Sequence, residues 1–121
     1  MGEKKKVVYI LGPFASKSGL DNNALVADML TGIGHGTIST MLLPERMDAD
    51  KAHHLVASML YAADAVVALP NWRTSSSAVT EHYLAYCFDK PMVDVVLDRE
   101  PEAVRACLEH FLWTIPEEVS A

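Results

Sequence analysis

The sequence predicts an α/β fold, a three-layer α/β/α sandwich around a parallel sheet of four to five strands. Short, continuously apolar runs alternate four times with longer segments whose apolar residues recur at helical spacing. Continuously apolar strands are typical of parallel sheets that are covered by helices on both faces. Because parallel strands are joined by right-handed crossovers, we expect a flavodoxin-like or Rossmann-like arrangement.

The first half of the chain supplies two strands and one helix of this arrangement. Val7–Leu11 is an apolar run that ends at a glycine, and the small and polar residues 12–21 predict a loop. The first helix is expected to start at Asn22 or Asn23 and to stop at Gly34. The β-rich residues 37–43 predict the second strand.

The second half repeats the alternation. Asp48 or Asp50 caps a second helix, residues 65–69 form a third strand, and residues 77–88 form a third helix. A fourth strand is predicted at residues 92–97, and Pro101 suits the first turn of a last helix. The residues expected on the inner sides of the last two helices include Val79, Tyr83, Leu84, Cys87 and Cys107.

Length and charge exclude several classes of function. A chain of 121 residues corresponds to a single domain, residues 1–121. Its net charge of −6 argues against a nucleic acid polymer as partner, because such binding depends on basic patches. No apolar stretch is long enough to span a membrane, and two distant cysteines make no disulfide framework. These features indicate a cytoplasmic protein.

A ligand is expected at the carboxyl ends of the strands, and the loop after the third strand has suitable residues. Residues 74–77 are four consecutive hydroxyl side chains at the start of a helix. Hydroxyls and first-turn N–H groups together suit a phosphate or a carboxylate, and Arg73 adds a positive charge. The alternative is plain helix capping by Ser76 or Ser77.

Glu81 follows about one helical turn later. The helix dipole and nearby donors are expected to keep this carboxylate ionised, and beside a bound sugar it can act as a nucleophile. The alternative is a solvent-facing glutamate.

Two segments of the chain carry a family resemblance. They are YILGPF (residues 9–14) and ADAVVALPNW (residues 63–72), the latter followed by Ser75, Ala78 and Glu81 and then by AYCFDKP (residues 85–91). Both segments resemble the nucleoside 2-deoxyribosyltransferase-like superfamily. The likeness is greatest to a small, largely uncharacterised branch with a Leu-Pro-x-Trp turn, related to the 2′-deoxynucleoside 5′-monophosphate N-glycosidases.

The resemblance implies cleavage of an N-glycosidic bond in which Glu81 attacks C1′ of the sugar. It also implies that Ser75, which stands where the nucleoside-specific transferases have an aspartate, binds a 5′-phosphate, and that Tyr9 lies near the sugar. One departure concerns the carboxylate that assists the leaving base in characterised members. The matching position is nearest Val56, and His53, His54 and Asp50 are candidates to replace it.

The remaining candidate residues flank these positions. Gly12, Pro13 and Phe14 are expected to frame the sugar and base, with Phe14 stacking on the base or anchoring the loop. Trp72 is either a wall for the base or a lid on the core. Ser76 and Ser77 complete the predicted phosphate site. No metal and no organic cofactor is expected.

Three hypotheses follow. The first is an N-glycosidase or deoxyribosyltransferase acting on a small-molecule nucleotide or nucleoside. The second is a non-catalytic module that binds a nucleotide or nucleotide-derived signal, and the third is a scaffold that retains only the fold. The resemblance also implies a homo-oligomer, and the apolar residues 111–116 are suited to packing on a partner or on their own domain.

Overall fold

The structure, a computed structural model, describes residues 5–44 and 46–116. Strands and helices alternate along the chain as predicted. In order they are β1 (Val7–Leu11), α1 (Lys17–Gly32), β2 (Gly36–Ile38), a 3-10 helix (Thr40–Leu42), α2 (Ala49–Ala62), β3 (Ala65–Ala68), a second 3-10 helix (Trp72–Thr74), α3 (Ser76–Cys87), β4 (Met92–Asp94) and α4 (Pro101–Thr114). Within the described residues, no helix has the length and apolar character needed to cross a membrane.

The four strands form one parallel sheet in the order β2-β1-β3-β4, which confirms the predicted fold class. In the centre of the sheet, Val8 of β1 pairs with Thr37 on one side and with Ala65 on the other. The strand order changes direction between β1 and β3. Such a switch point leaves a crevice at the carboxyl ends of the two strands.

The core consists of two clusters, one on each face of the sheet. Successive side chains of a strand point to opposite faces, so Val8 and Ile10 belong to one cluster and Tyr9 and Leu11 to the other. Helices α1 and α4 cover the first face, and α2 and α3 cover the second. The buried helix residues are Val26, Met29, Leu30, Val104, Leu108 and Leu112 on the first face, and Val56, Leu60, Ala78 and Ala85 on the second.

Helix α1 begins earlier than predicted, at Lys17 instead of Asn22 or Asn23. The Ser16 hydroxyl accepts a hydrogen bond from the backbone N–H of Gly19 at 3.1 Å, which caps the helix. The small and polar residues 12–21 were expected to form a loop. Instead, Ser16 and the closely packed Gly19 start the helix within this segment. The loop after β1 is therefore short.

The second and fourth strands are shorter than predicted because both are edge strands with little to pair with. After Ile38 the chain leaves the sheet, and Ser39 accepts a hydrogen bond from the N–H of Met41 at 3.2 Å to start the 3-10 helix. Strand β4 ends near the end of its partner β3, after one further hydrogen bond from Val95 N–H to the carbonyl of Ala68 at 2.9 Å.

The inner face of α3 differs from the prediction. Its buried residues are Ala78, Glu81 and Ala85, whereas Val79 and Tyr83 are exposed. The small alanine side chains allow α3 to lie close to the sheet. The prediction that Cys87 and Cys107 are buried was also wrong, because both thiols are exposed.

Candidate functional site

The candidate site lies at the switch point, between the loops that follow β1 and β3. The two strands stay paired up to the N–H of Leu69, which donates to the carbonyl of Leu11 at 3.0 Å. The loops therefore leave the same end of the sheet side by side.

The first loop is held close to helix α1 by a glycine. A Cβ atom at Gly19 would overlap with the carbonyl oxygen of Pro13, so no other side chain fits there without a shift of the backbone. At Gly12, a Cβ atom would lie 3.1 Å from the backbone nitrogen of Phe14. A glycine at each position thus permits the tight turn that brings Pro13 and Phe14 over the sheet edge.

The second loop places a serine at the start of α3. Asn71 adopts a left-handed backbone conformation with φ of 67°, and the hydroxyl of Thr74 donates to the carbonyl of Asn71 at 2.7 Å. The cap of α3 is Ser75, whose hydroxyl accepts from the N–H of Ala78 at 3.2 Å. Capping therefore falls to Ser75, and the expectation of a cap at Ser76 or Ser77 was wrong.

The starts of α1 and α3 face each other across a cavity of about 520 Å³. The first turn of a helix carries partial positive charge and unpaired N–H groups, and residues of both first turns line this space. The lining residues are Pro13, Ala15, Ser16, Ser18, Gly19, Asn22, Pro70, Asn71, Thr74, Ser75 and Ser76. No lining side chain carries a formal charge, so the field of the two helices is not neutralised by a carboxylate in this wall.

A smaller cavity of about 190 Å³ lies directly beside the first, since Pro13, Ala15 and Ser75 belong to the walls of both. Glu81 contributes the one ionisable side chain among the residues that line it. The remaining lining residues are Gly12, Phe14, Thr40, Ser77 and Ala78. Phe14 also packs against the core on the α1 face, so it both anchors its loop and borders the cavity.

Glu81 is buried, with only 7% of its surface exposed, which excludes the alternative of a solvent-facing glutamate. Its Oε1 accepts a hydrogen bond of 2.8 Å from the hydroxyl of Tyr9. Burial raises the pKa of the Glu81 carboxyl, and the hydrogen bond from Tyr9 opposes this rise. The sequence predicts that the helix dipole and nearby donors favour the ionised carboxylate, and in the structure desolvation is the largest influence on the Glu81 pKa and acts in the opposite direction.

Tyr9 is completely buried and lies behind Glu81 instead of in the cavity wall. Burial, together with the neighbouring Glu81, raises the pKa of the Tyr9 phenol. The phenol therefore stays protonated and acts as a hydrogen-bond donor. The geometry assigns Tyr9 to holding the carboxylate, and Tyr9 does not line either cavity.

Trp72 and Arg73 lie outside both cavity walls. The ring of Trp72 stacks on the ring of His82, with centroids 3.9 Å apart and planes 9° apart, and belongs to the core. The Arg73 guanidinium lies 4.5 Å from the centre of the Trp72 ring and pairs with Asp94 at 3.8 Å. Of the two expectations for Trp72, the lid on the core fits this position.

Some lining residues were missed by the sequence analysis. Thr40 reaches the smaller cavity from the 3-10 helix after β2, a segment that was predicted as strand. Ser16 and Ser18 line the larger cavity because α1 starts at Lys17. The local signal for both is a serine that caps a following turn, at Ser16 and at Ser39.

The position where the resemblance implies an assisting carboxylate is apolar and internal. Val56 belongs to the core cluster on the α2 face. His54 on the same helix contacts the carbonyl oxygen of Asp50 through Nδ1 at 2.7 Å. Asp50, His53 and His54 do not line either cavity, so they do not replace the missing group in this structure.

Comparison with known proteins gives a family and a fold. Residues 6–94 match the sequence model of the family described as a domain of unknown function (DUF4406), and the chain therefore belongs to that family. A search of curated proteins finds no match.

Two solved structures show the same fold as the one predicted from the resemblance. The 2-deoxyribosyltransferase of Bacillus psychrosaccharolyticus superposes with a TM-score of 0.63 at 18% identity, covering 73% of this chain and 70% of the enzyme. The 2-deoxyribosyltransferase of Leishmania mexicana superposes with a TM-score of 0.59 at 19% identity, covering 74% of this chain and 63% of the enzyme. The deoxyribosyltransferase-like fold is thereby confirmed.

Proposed function

We propose that this member of the DUF4406 family cleaves the N-glycosidic bond of a (deoxy)nucleoside 5′-monophosphate, with Glu81 as the nucleophile. The observation that carries the proposal is the placement of Glu81: a buried carboxylate lines a cavity that adjoins the starts of two helices. The solved proteins of similar fold are 2-deoxyribosyltransferases, which fits this class of bond chemistry.

The larger cavity is the proposed phosphate site. An anion there meets the N–H groups of the first turns of α1 and α3 and the positive ends of both helix dipoles. The hydroxyls of Ser75 and Ser76 border the same space and add donors. Arg73 is not needed for this role, since it pairs with Asp94.

The smaller cavity is the proposed site of the sugar and of the glycosidic bond. Gly12 and Pro13 form its floor next to Glu81, and the ring of Phe14 offers an aromatic surface to a base. Ser77 and Thr40 supply hydroxyls at its border. The adjoining walls of the two cavities allow one ligand to occupy both.

In the first step, a Glu81 oxygen attacks C1′ and forms an ester, while the bonding electron pair leaves with the base nitrogen. Water or a second base then attacks C1′, and Glu81 is released as a carboxylate. The Tyr9 hydrogen bond fixes Oε1 during both steps. Because burial raises the Glu81 pKa, kcat/KM is expected to increase as the pH rises through that pKa.

The first experiment incubates the protein with nucleosides and their 5′-monophosphates and measures free base by chromatography. Base release that is lost in Glu81→Gln and in Glu81→Ala supports the proposal. The matched control is Glu109→Gln, an exposed glutamate on α4 that should leave release unchanged. Release that persists in Glu81→Gln would rule out the nucleophile assignment.

A second experiment separates phosphate binding from helix capping at Ser75. An aspartate caps a helix as well as a serine does, so Ser75→Asp should keep the protein stable while its charge repels the phosphate. Ser75→Ala should lower the free energy of unfolding by about 1 kcal/mol through loss of the cap. Undiminished binding of monophosphates by Ser75→Asp contradicts the phosphate site.

A second candidate function is a non-catalytic module that binds the same ligand. The observation that favours it is the apolar, buried position of Val56, where the resemblance implies a carboxylate that assists the leaving base. Binding of a monophosphate by calorimetry, without release of base over many hours, would select this function. If the protein neither binds a monophosphate nor releases base, the remaining hypothesis is a scaffold that retains only the fold.

Homo-oligomer formation is also proposed, and exposed aromatic side chains on the outer faces of α2 and α3 support it. Tyr61, Tyr83 and Tyr86 are each at least 66% exposed. Large exposed aromatic residues are enriched where proteins associate. Light scattering coupled to size-exclusion chromatography tests this, and Tyr83→Lys with Tyr86→Lys should shift an oligomer toward the monomer.

A further inference from the structure

The joined cavities are electrically polarised, and this feature indicates which ligand they suit. At the larger cavity, the starts of α1 and α3 supply partial positive charge. At the smaller cavity, Glu81 supplies the formal negative charge when it ionises. A ligand complementary to both ends is anionic at one end and cationic at the other.

The charge of ionised Glu81 has no cationic neighbour among the described residues. Tyr9 donates a neutral hydrogen bond to Oε1, and its raised pKa keeps it neutral. Among the described residues, no lysine or arginine lines either cavity, and the ion pairs of Arg73 with Asp94 and of Lys17 with Asp21 do not involve Glu81. His82, beside Glu81 in sequence, stacks on Trp72. A buried carboxylate is stabilised in its charged form by an opposite charge nearby, and the ligand can provide it.

We propose that the base of the ligand carries a positive charge on the ring joined to the sugar, as in pyridinium nucleotides and N7-alkylated purine nucleotides. This inference rests on the proposed function, since it names the substrate class of the same site. The cation of the base lies beside Glu81, and the 5′-phosphate lies between the two helix starts.

The chemistry of the leaving group agrees with this assignment. When a cationic N-glycoside is cleaved, the electron pair of the breaking bond neutralises the ring, and the base departs without taking up a proton. Glu81 forms the ester to C1′ in the same step. Water then attacks C1′, giving the sugar 5-phosphate and one released proton. Glu81 is the one ionisable side chain among the described residues that line the smaller cavity, which fits a reaction in which the base needs no separate proton donor.

The test compares ligands that differ by a methyl group and a charge. The purified wild-type chain is given 7-methylguanosine 5′-monophosphate and guanosine 5′-monophosphate, in ribo and deoxyribo forms, and each kcat/KM is divided by the spontaneous rate of that compound. We expect the ratio to be at least about tenfold higher for the cation, by charge attraction at a partly desolvated site. If the neutral nucleotide is cleaved and the ratio for the cation is equal to or lower than that for the neutral nucleotide, this inference is overturned and the proposed function still stands.

Binding gives a second, independent readout. In calorimetry, 1-methylnicotinamide should bind at least about tenfold more tightly than neutral nicotinamide, and the difference should vanish in Glu81→Gln. Glu109→Gln is the matched control and should keep the difference. If no nucleotide is cleaved, the proposed function fails, and the calorimetric comparison still decides the charge preference. Equal affinities for the two amides in the wild-type chain would overturn it.

Discussion

The hydrogen bond between Tyr9 and Glu81 links the core to the candidate site, and its strength is measurable. The donor and acceptor are 2.8 Å apart, and both residues are buried. Tyr9→Phe removes the hydroxyl and keeps the ring that packs against the sheet, so the change is nearly confined to this bond. Glu81→Ala removes the carboxyl that accepts the bond.

A double-mutant cycle with these two substitutions gives the coupling free energy of the pair. A hydrogen bond between neutral groups contributes about 0.5–1.5 kcal/mol, and one to a charged group contributes about 1.5–3 kcal/mol. Because Glu81 passes from neutral to charged as the pH rises through its raised pKa, the coupling should grow from about 1 kcal/mol in acid to about 2 kcal/mol in alkaline solution.

The same pKa shift fixes the sign of the pH dependence of stability. In the unfolded chain the Glu81 pKa returns to about 4.3, whereas burial raises it in the folded protein. The folded state then binds more protons than the unfolded state between these two values, so its stability falls as the pH rises across that window. Glu81→Gln cannot ionise, and its free energy of unfolding should increase relative to the wild type across the same window.

Urea unfolding followed by circular dichroism measures these quantities at several pH values. The control is Tyr61→Phe, which removes the hydroxyl of an exposed tyrosine and should change the free energy of unfolding by less than about 0.5 kcal/mol. A coupling energy between Tyr9 and Glu81 below about 0.5 kcal/mol at every pH would refute the reasoning, because a buried bond of this length contributes more.

Three further predictions concern the loop after β1, the start of β1 and the exposed thiols. Gly19→Ala should destabilise the protein by about 1–3 kcal/mol in thermal unfolding, because its Cβ meets the carbonyl of Pro13. A Cβ atom at Gly32, on the same helix, would meet open space, so Gly32→Ala should raise the free energy of unfolding by up to about 1 kcal/mol. Equal changes in stability for the two substitutions would contradict the packing argument. Asp64→Ala should lower the free energy of unfolding in urea by about 1 kcal/mol, because Oδ2 of Asp64 accepts a hydrogen bond from the N–H of Val7 at 2.8 Å. Asp64→Asn keeps an acceptor oxygen, so an equally large loss in that variant would count against this bond. Cys87 and Cys107 should both react with a disulfide reagent in the native protein, because both are exposed. A cysteine that reacts only after unfolding in urea would contradict its exposed position.

The layered α/β architecture was predictable because the central strands β1 and β3 are continuous apolar runs, and such runs are typical of strands that are covered on both faces. The limits of the elements were less predictable. Residues 37–43 have the composition of a strand, but β2 pairs with only one neighbour, and Ser39 starts a turn as soon as that pairing ends. Composition gives the tendency of a segment, whereas pairing partners decide its length.

The burial of Glu81 could not be predicted from hydropathy. A pattern of apolar residues places Val79, Tyr83 and Cys87 on the inner side of α3, and the structure buries Ala78, Glu81 and Ala85 instead. The reason lies in another element: Tyr9 points from β1 toward α3 and needs an acceptor for its hydroxyl. A polar pair that spans 72 positions of the chain leaves no trace in the local pattern of either segment.

The serines at the helix starts show why capping and ligand binding need not compete. The Ser75 hydroxyl oxygen accepts from the N–H of Ala78, and that of Ser16 accepts from the N–H of Gly19. A hydroxyl that accepts one hydrogen bond still has its own proton to donate, and each cap uses only one of the unpaired N–H groups of its helix. The caps therefore hold the two helix starts in place while leaving donors directed at the cavity between them. Ser75→Asp would keep the cap of α3 and place a negative charge beside these donors, so that substitution separates the charge of the site from its architecture.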